Sequence, residues 1–459
     1  MTGRAWDRFR GGVLTEYLAA APEQLSRRAW NSVQVERAQR AGLHRLLAHA
    51  AEDSPFHRRR LSRIDLAGID PTDLSMLPVM TKTDMMDALD DVFTDRRLRR
   101  RDVDSALMAT GFEPVPILDD YIALASGGCS GRRGLFVFDQ AAASSYITAL
   151  ARPPIEDPAP PDMTPPGPLC IALVAAPSAV HATGFGAALT SSDGWPVRYE
   201  LVPATLPIAE IVDRLNALQP PVLGGYASML ARLALEARTG RLRIAPTQVS
   251  PSSETLLPEM RSMISDVFGA PVLDTFACTE GLVGKAAPDD DVFVFNTDMC
   301  IVEFVDANYR PVPPGVPSAK ALITNLFNLA QPLIRYELTD VFIRQPDVTG
   351  HGYLRARVRG RSDDVLRYDA VDVHPIVIRS VMVGSPDVID YQVNQTDSGI
   401  EVFAVTSAGF DVDDLTSRLR RALDGAGLDH ADVVVHRVEQ VDRHPVSGKL
   451  RRFFPTSTA

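Results

Sequence analysis

Hydrophobic positions along the chain follow two different periods. Over the first hundred residues they read as helical: near Val33 to Ala51, Leu43, Leu46, Leu47 and Ala50 share one face. From Leu169 onward, short apolar runs of strand length alternate with helical patterns. LCIALVA is followed by a helix near Ile208 to Leu218, then PVLGGY, then a helix near Met229 to Arg238. That rhythm predicts an α/β fold with mostly parallel strands. The clearest helix lies in SSETLLPEMRSMISDVFGAP, where Leu256, Met260, Met263, Ile264, Val267 and Phe268 recur at helical spacing. Ser252 or Ser253 is its expected cap, Pro258 falls in its first turns, and Gly269 and Pro271 stop it. A strand, Val272 to Phe276, follows and delivers Cys278, Thr279 and Glu280 at its carboxyl end.

Near residue 360 the texture changes. Beyond GRSDD (Gly360 to Asp364), strands VIDYQVNQ and IEVFAVTS flank a helix at Leu415 to Leu423, the pattern of a small α+β unit. The expected domains are therefore residues 1–362 and 363–459. Arg152 to Pro168 carries eight prolines, which remove backbone donors and predict a surface loop.

Composition narrows the function classes. A chain of 459 residues exceeds what one hydrophobic core usually organises. The formal net charge of −11 argues against nucleic acid as a partner. The basic clusters HRRRLSR (from His57) and RRLRRR (from Arg96) sit among acidic residues and read as solvated faces of short polar connectors. The start MTGRAWDRFRGGV lacks a secretory pattern, and the longest apolar run, Leu169 to Ala176, falls short of the roughly 20 residues that span a bilayer, so no membrane partner is expected. Four cysteines, at 129, 170, 278 and 300, form no CxxC pair and read as reduced residues of a cytoplasmic protein.

Five segments carry candidate chemistry. SGGCSGRRG, Ser126 to Gly134, is a glycine and hydroxyl loop between two strand-like runs, YIALA and LFVFD. It lacks the strand-to-helix GK[ST] ending of a Walker loop, yet its backbone suits a polyphosphate as well as a plain hairpin. DTFACTEG, Asp274 to Gly281, sets a hydroxyl (Thr279) beside a carboxylate (Glu280), a pair suited to phosphate and Mg²⁺ or to an ordinary loop. Cys278 has no evident histidine partner and reads as a spacer rather than a nucleophile. In PLIRYELTDV, Asp340 is expected to end a strand and could accept from sugar hydroxyls; in GRSDDVLRY, Arg361 could add a contact. Either could instead form a structural ion pair. Last comes HPVSGKLRRF, where Lys449 is either a frayed basic tail or the cation that lets a carboxylate approach a phosphate.

In this order the five segments resemble the adenylate-forming superfamily of acyl- and aryl-CoA ligases. APVLDTFACTEG, AQPLIRYELTD and LPVMTKTDMMD (from Leu77) resemble its phenylacetate-CoA ligase branch, over about residues 33 to 453. The resemblance implies a large N-terminal domain of mixed sheets flanked by helices, and a small mobile C-terminal lid. It implies that Ser126, Gly127, Gly128, Ser130 and Gly131 hold the ATP phosphates, that Thr279 contacts phosphate, and that Glu280 holds Mg²⁺. Asp340 and Arg361 would grip the ribose, and Ser253, Glu254, Asp274 and Phe276 would complete the nucleotide site. Asp363 would be the hinge, and Lys449 would bridge substrate carboxylate and α-phosphate. His181, Thr183, Phe185 and Tyr226 would line the acyl pocket. The implied reaction adenylates a small carboxylic acid, expected to be aromatic, and passes the acyl group to CoA; an amine or a carrier protein is the alternative acceptor, and a catalytically silent nucleotide-binding protein is a third reading. A homodimer is the expected assembly. This chain departs from the branch at Cys129, Arg132, Arg133, Ala277, Thr339, Ala370 and Asp372, the last two bearing on the acceptor. GLVGKAAPDDDVFVF lacks the Cys/His set some members carry, so no zinc is expected.

Overall fold

The strand-like runs of the sequence form strands in a computed structural model, which describes residues 2–126, 133–154, 168–348, 350–369, 371–385, 387–407, 409–445 and 447–456. Two units emerge, Met1–Arg359 and Gly360–Ala459. The glycine loop at 127–132 and the proline-rich residues 155–167 lie outside the described residues.

The first unit opens with helices Thr2–Ser26, Ser32–Asp53 and Pro55–Leu61. Asn31 starts the second of these with a reciprocal capping box to Gln34. Its Leu43, Leu46, Leu47 and Ala50 are fully buried, and they pack with Leu326 and Ile334. The basic run from His57 departs from the expected connector. His57 through Leu61 form part of the helix Pro55–Leu61, and His57 itself is buried with Nε2 3.0 Å from the Pro332 carbonyl. Proline at the helix start and the apolar Phe56 and Leu61 supply the drive that the charge pattern concealed. Arg59 does face solvent, paired with Asp91.

Strands β1 (Tyr121–Ala125) and β2 (Leu135–Asp139) pair antiparallel. Next come β3 (Leu169–Ala175), β4 (Val197–Pro203), β5 (Val222–Tyr226), β6 (Gln248–Ser252), β7 (Thr275–Ala277), β8 (Val283–Ala286) and β9 (Val292–Phe295). A separate three-stranded sheet comprises β10 (Cys300–Val305), β11 (Lys320–Asn325) and β12 (Tyr336–Leu338). With β13 (Asp340–Arg344) and β14 (Arg355–Arg361) the large sheet has nine strands, in the order β13-β14-β9-β8-β7-β6-β5-β3-β4.

That sheet is mixed. From β4 to β7 the neighbours are parallel, with helices Ile208–Leu218 and Ala227–Arg238 as crossovers. From β7 to β9, and from β9 to β14, they are antiparallel, because the short links after β7 and β8 leave no room for a crossover helix. Asp340 opens β13 instead of ending a strand: the chain leaves the three-stranded sheet after Leu338 and joins the large sheet at Asp340, so Thr339 and Asp340 sit at the corner. The clearest helix begins later than its serines suggest. It spans Pro258–Phe268 with Leu257 as cap residue, while Ser252 ends β6.

The second unit carries its own core around Leu366, Ile378, Val393, Ile400, Val402, Leu415, Leu419 and Leu423. A short pair, β15 (Leu366–Arg367) and β16 (Asp372–Val373), precedes helix Pro375–Val383. Four strands follow: β17 (Val388–Gln395), β18 (Gly399–Thr406), β19 (Asp432–Arg437) and β20 (Phe453–Phe454), in the order β19-β18-β17-β20, with helix Val412–Gly425 between β18 and β19. Among the described residues no helix is long and apolar enough to cross a membrane.

Candidate functional site

Parallel strands present their carboxyl ends at one edge of the sheet, where open α/β sheets collect ligands. Beyond β3 the chain reaches His181, the cap residue of helix Ala182–Leu189. Strand β5 ends at Tyr226, β6 at Ser252, and β7 leads into Cys278, Thr279 and Glu280. The Tyr226 hydroxyl accepts from the Ala176 N–H at 2.9 Å, tying the ends of β3 and β5 together. Ser253 turns the chain off β6 with φ of 66°, a conformation uncommon for serine. The turn brings the Glu254 carboxylate onto the Ser228 N–H at 3.0 Å, at the start of helix Ala227–Arg238. Tyr226 and Glu254 thus each commit a polar atom to the frame of the site.

Thr279 and Glu280 occupy the middle of a tight turn. The Gly281 N–H donates to the Cys278 carbonyl at 3.0 Å, and the Cys278 N–H donates to the Leu282 carbonyl at 3.0 Å. Gly281 has φ of 107°, and a Cβ there would stand 2.2 Å from Asn325 Nδ2, so glycine is required on two counts. That Asn325 nitrogen donates to the Glu280 carbonyl at 2.9 Å, pinning the turn to the end of β11. Glu280 is buried.

The polar surroundings are unusual for a core. Tyr146, from helix Gln140–Ala151, and Tyr336, from β12, are fully buried. Neither hydroxyl has a hydrogen-bond partner among the described residues. Burial raises both phenols, and the nearby Glu280 and Cys278 raise them further, so both stay protonated donors. The Cys278 thiol is pushed well up by burial, then by Glu280 and more weakly by Asp340. A thiol so suppressed is a poor nucleophile. Both Glu280 and Asp340 are thus close enough to act on the Cys278 thiol, although 60 residues separate them in sequence.

Asp274 is buried, and burial pushes its carboxyl up to about 7, against the pull of Arg261 at 3.9 Å. Phe276 is half-buried and meets Phe295 and Phe342 edge-on at ring separations of 5.7 and 5.5 Å. Ser126 closes the end of the β1–β2 pair, its Oγ accepting from the Gly134 N–H at 2.8 Å. Gly127, Gly128, Ser130 and Gly131, with Cys129 and Arg132, lie outside the described residues, as does Ala370. His181 is buried and Thr183 half-buried. Phe185 packs against Trp6 of the first helix at 6.5 Å, within the core behind the sheet edge.

Arg361 ends β14, and the backbone of Asp363 lies in the single 3-10 turn Ser362–Asp364. In the second unit, the Lys449 carbonyl accepts from the His444 N–H at 2.9 Å, and Gly448 takes φ of 69°. Sequence reasoning overlooked Tyr146, Tyr336 and Asn325. Tyr336 lies inside the PLIRYELTDV segment, so attention to its one aromatic was the available signal; nothing local marks Tyr146 or Asn325.

No protein-family model matches the chain. It is 24% identical to phenylacetate-coenzyme A ligase of Thermus thermophilus over 389 residues, 80% of this chain and 78% of that protein. It is also 24% identical to protein CapK of Staphylococcus aureus over 226 residues, spanning about half of each: 46% of this chain and 48% of CapK. The crystal structure of 2-hydroxyisobutyryl-CoA ligase in its postadenylation state, in complex with R3-HIB-AMP, superposes with a TM-score of 0.66 at 18% identity, covering 94% of this chain and 92% of the other. The chain has the fold of the adenylate-forming CoA ligases.

Proposed function

We propose that the protein is an AMP-forming ligase that activates a small carboxylic acid and transfers its acyl group to CoA. The reading is supported above all by the Thr279–Glu280 turn, held at the carboxyl edge of the parallel strands with Asp340 nearby, in this fold. In the first step a carboxylate oxygen would bond to the α-phosphorus of ATP and pyrophosphate would leave. In the second the CoA sulfur would bond to the acyl carbon and AMP would leave.

The donors at the turn suit Mg²⁺, which takes one or two carboxylates and completes its shell with phosphate oxygens and water. Glu280 would hold the ion together with phosphate oxygens, and Thr279 would donate to phosphate. When bound, the ion supplies charge neutralisation at the phosphates. Asp340 would accept from ribose hydroxyls, and Arg361 would add a further sugar contact. Ser126, Ser253, Asp274 and Phe276 would border the nucleotide, and His181, Thr183 and Tyr226 the acyl group. Lys449 would neutralise the meeting of two anions during adenylation. Residues 363–459 would act as the mobile lid.

Aromatic acids are the proposed substrates. The test is carboxylate-dependent ATP/pyrophosphate exchange over a panel of aryl and short aliphatic acids, followed by thioester detection with and without CoA. Exchange with an aryl acid, and a thioester only when CoA is present, is the expected result. Adenylate that accumulates despite CoA would instead favour an amine or a carrier protein, and the absence of exchange with every acid would overturn the reading.

A further inference from the structure

Within the second unit, a single buried amide ties both stems of the segment that carries Lys449. Gln392 sits in the middle of β17 and is 5% exposed. Its Nε2 donates to the Asp442 carbonyl at 2.6 Å and to the Arg451 carbonyl at 2.8 Å. Its Oε1 accepts from the Asp442 N–H at 2.9 Å. One side chain thereby satisfies three backbone groups, one stem being Asp442 and the other Arg451. Glutamine is suited to this because its amide offers two donors and an acceptor on one planar group.

Between the stems the described residues have no helix or strand, so their order depends on such side-chain contacts. A second set tightens the tip. The His444 Nδ1 accepts from the Ser447 N–H at 3.2 Å, the Gly448 N–H donates to the His444 carbonyl at 2.8 Å, and Arg443 Nη1 donates to the Gly448 carbonyl at 3.2 Å. Beyond the far stem, Arg452 is anchored on Asp390 at 2.7 Å, and the Val393 N–H donates to the Arg452 carbonyl at 2.8 Å. Phe453 and Phe454 then join β17 as the parallel strand β20. The sheet thus fixes the segment on both sides of Lys449: Gln392 holds backbone groups of both stems, and Asp390 of the same strand pairs with Arg452 at 2.7 Å and with Arg443 at 3.9 Å.

We propose that Gln392 is a positioning residue for adenylation: it holds the Lys449 backbone in register so that the ammonium is delivered without first ordering its loop. The proposal rests on the reading above, in which Lys449 serves adenylation. Misplacing a catalytic group by about 1 Å costs on the order of 100-fold in rate. Order prepared in advance is what the amide would contribute.

Gln392→Glu keeps the volume and turns a donor toward two carbonyls into an acceptor; Gln392→Met keeps the volume and removes all three hydrogen bonds. Both full-length variants, with Lys449→Ala as control, would be followed in the two half-reactions and by hydrogen exchange. Carboxylate-dependent ATP/pyrophosphate exchange should fall by about 10- to 100-fold in kcat, with KM for ATP within about twofold. Thioester formation from supplied acyl-adenylate and CoA should stay within about twofold of wild type. Amides of the described residues from 443 to 451 should exchange about tenfold faster, while those of β18 and helix Val412–Gly425 keep their protection. Unchanged loop protection, or equal losses in both half-reactions, would overturn the proposal, the latter marking a general structural role. Wild-type protein that lacks pyrophosphate exchange with any acid, yet whose loop amides respond to the variants, would overturn the assigned reaction while leaving the clamp in place.

Discussion

Buried polar atoms around the Glu280 carboxylate decide what the sheet edge can host. An unpaired buried hydroxyl costs about 1–3 kcal/mol, and here two phenols, Tyr146 and Tyr336, sit unpaired among the described residues. Packing alone would be served as well by phenylalanine, since Tyr336 already meets Phe136 edge-on at 6.2 Å and Tyr146 lies 5.8 Å from Phe138. Tyr336→Phe is therefore expected to hold or raise the melting temperature while lowering Mg²⁺-dependent pyrophosphate exchange about tenfold, by analogy with loss of one hydrogen bond to a charged group. Exchange at wild-type level, measured beside the melt, would reduce the hydroxyl to a packing accident. The carboxyl of Asp274 carries a stability signature of its own. Its ordinary value is 3.8 and burial moves it up to about 7, so the folded chain holds its proton longer than the unfolded one. Stability from this group is complete below pH 3.8 and drains away as pH rises toward 7, with a loss of about 3 kcal/mol between pH 5 and 8. Asp274→Asn cannot ionise. Urea melts at pH 5 and pH 8 should show a smaller fall for the variant, and parallel curves would remove the assignment.

At the level of elements, much of the pattern is written locally. Helix Ile208–Leu218 follows its apolar period, burying Ile211, Val212 and Leu215 on one face, and strand Val388–Gln395 takes the bounds that its sequence marks. Features that depend on distant partners are hidden. Pro258 rather than a serine begins the helix Pro258–Phe268, since the intervening residues are drawn back so that Glu254 can reach the Ser228 N–H. Asp340 opens β13 because two sheets share one chain, which no local pattern reveals. The turn after β7 shows both kinds of information at once. Its Thr-Glu-Gly triplet stands out in the sequence, whereas Asn325, the side chain that pins it, comes from β11, 45 residues away. Gly281→Ala should expose that dependence: the φ of 107° and the 2.2 Å approach to Asn325 Nδ2 together predict a loss of roughly 2–4 kcal/mol. Pyrophosphate exchange should fall with it. Calorimetry and exchange on the same preparation would check both, and an unshifted melt would mean that the turn relaxes without cost.

Across the whole molecule, the chemistry-bearing segments are legible as an ordered series, while the way each is held is not. HPVSGK announces a glycine turn before Lys449, but Gln392, which fastens its stems, lies more than 50 residues earlier in an unremarkable strand. The two units also keep separate apolar cores: Leu230 is buried between helix Ala227–Arg238 and the parallel strands, and Leu419 is buried among β17, β18 and helix Val412–Gly425. Cutting either leucine to alanine removes buried methyl groups and leaves a cavity, at about 2–5 kcal/mol. If each core stabilises mainly its own unit, Leu419→Ala should lower the unfolding transition seen by hydrogen exchange in residues 360–456 and leave that of the first unit in place. Leu230→Ala should do the reverse. Differential scanning calorimetry would show the same split as one of two transitions moving at a time. A single transition shifted by both variants would show that the units unfold as one.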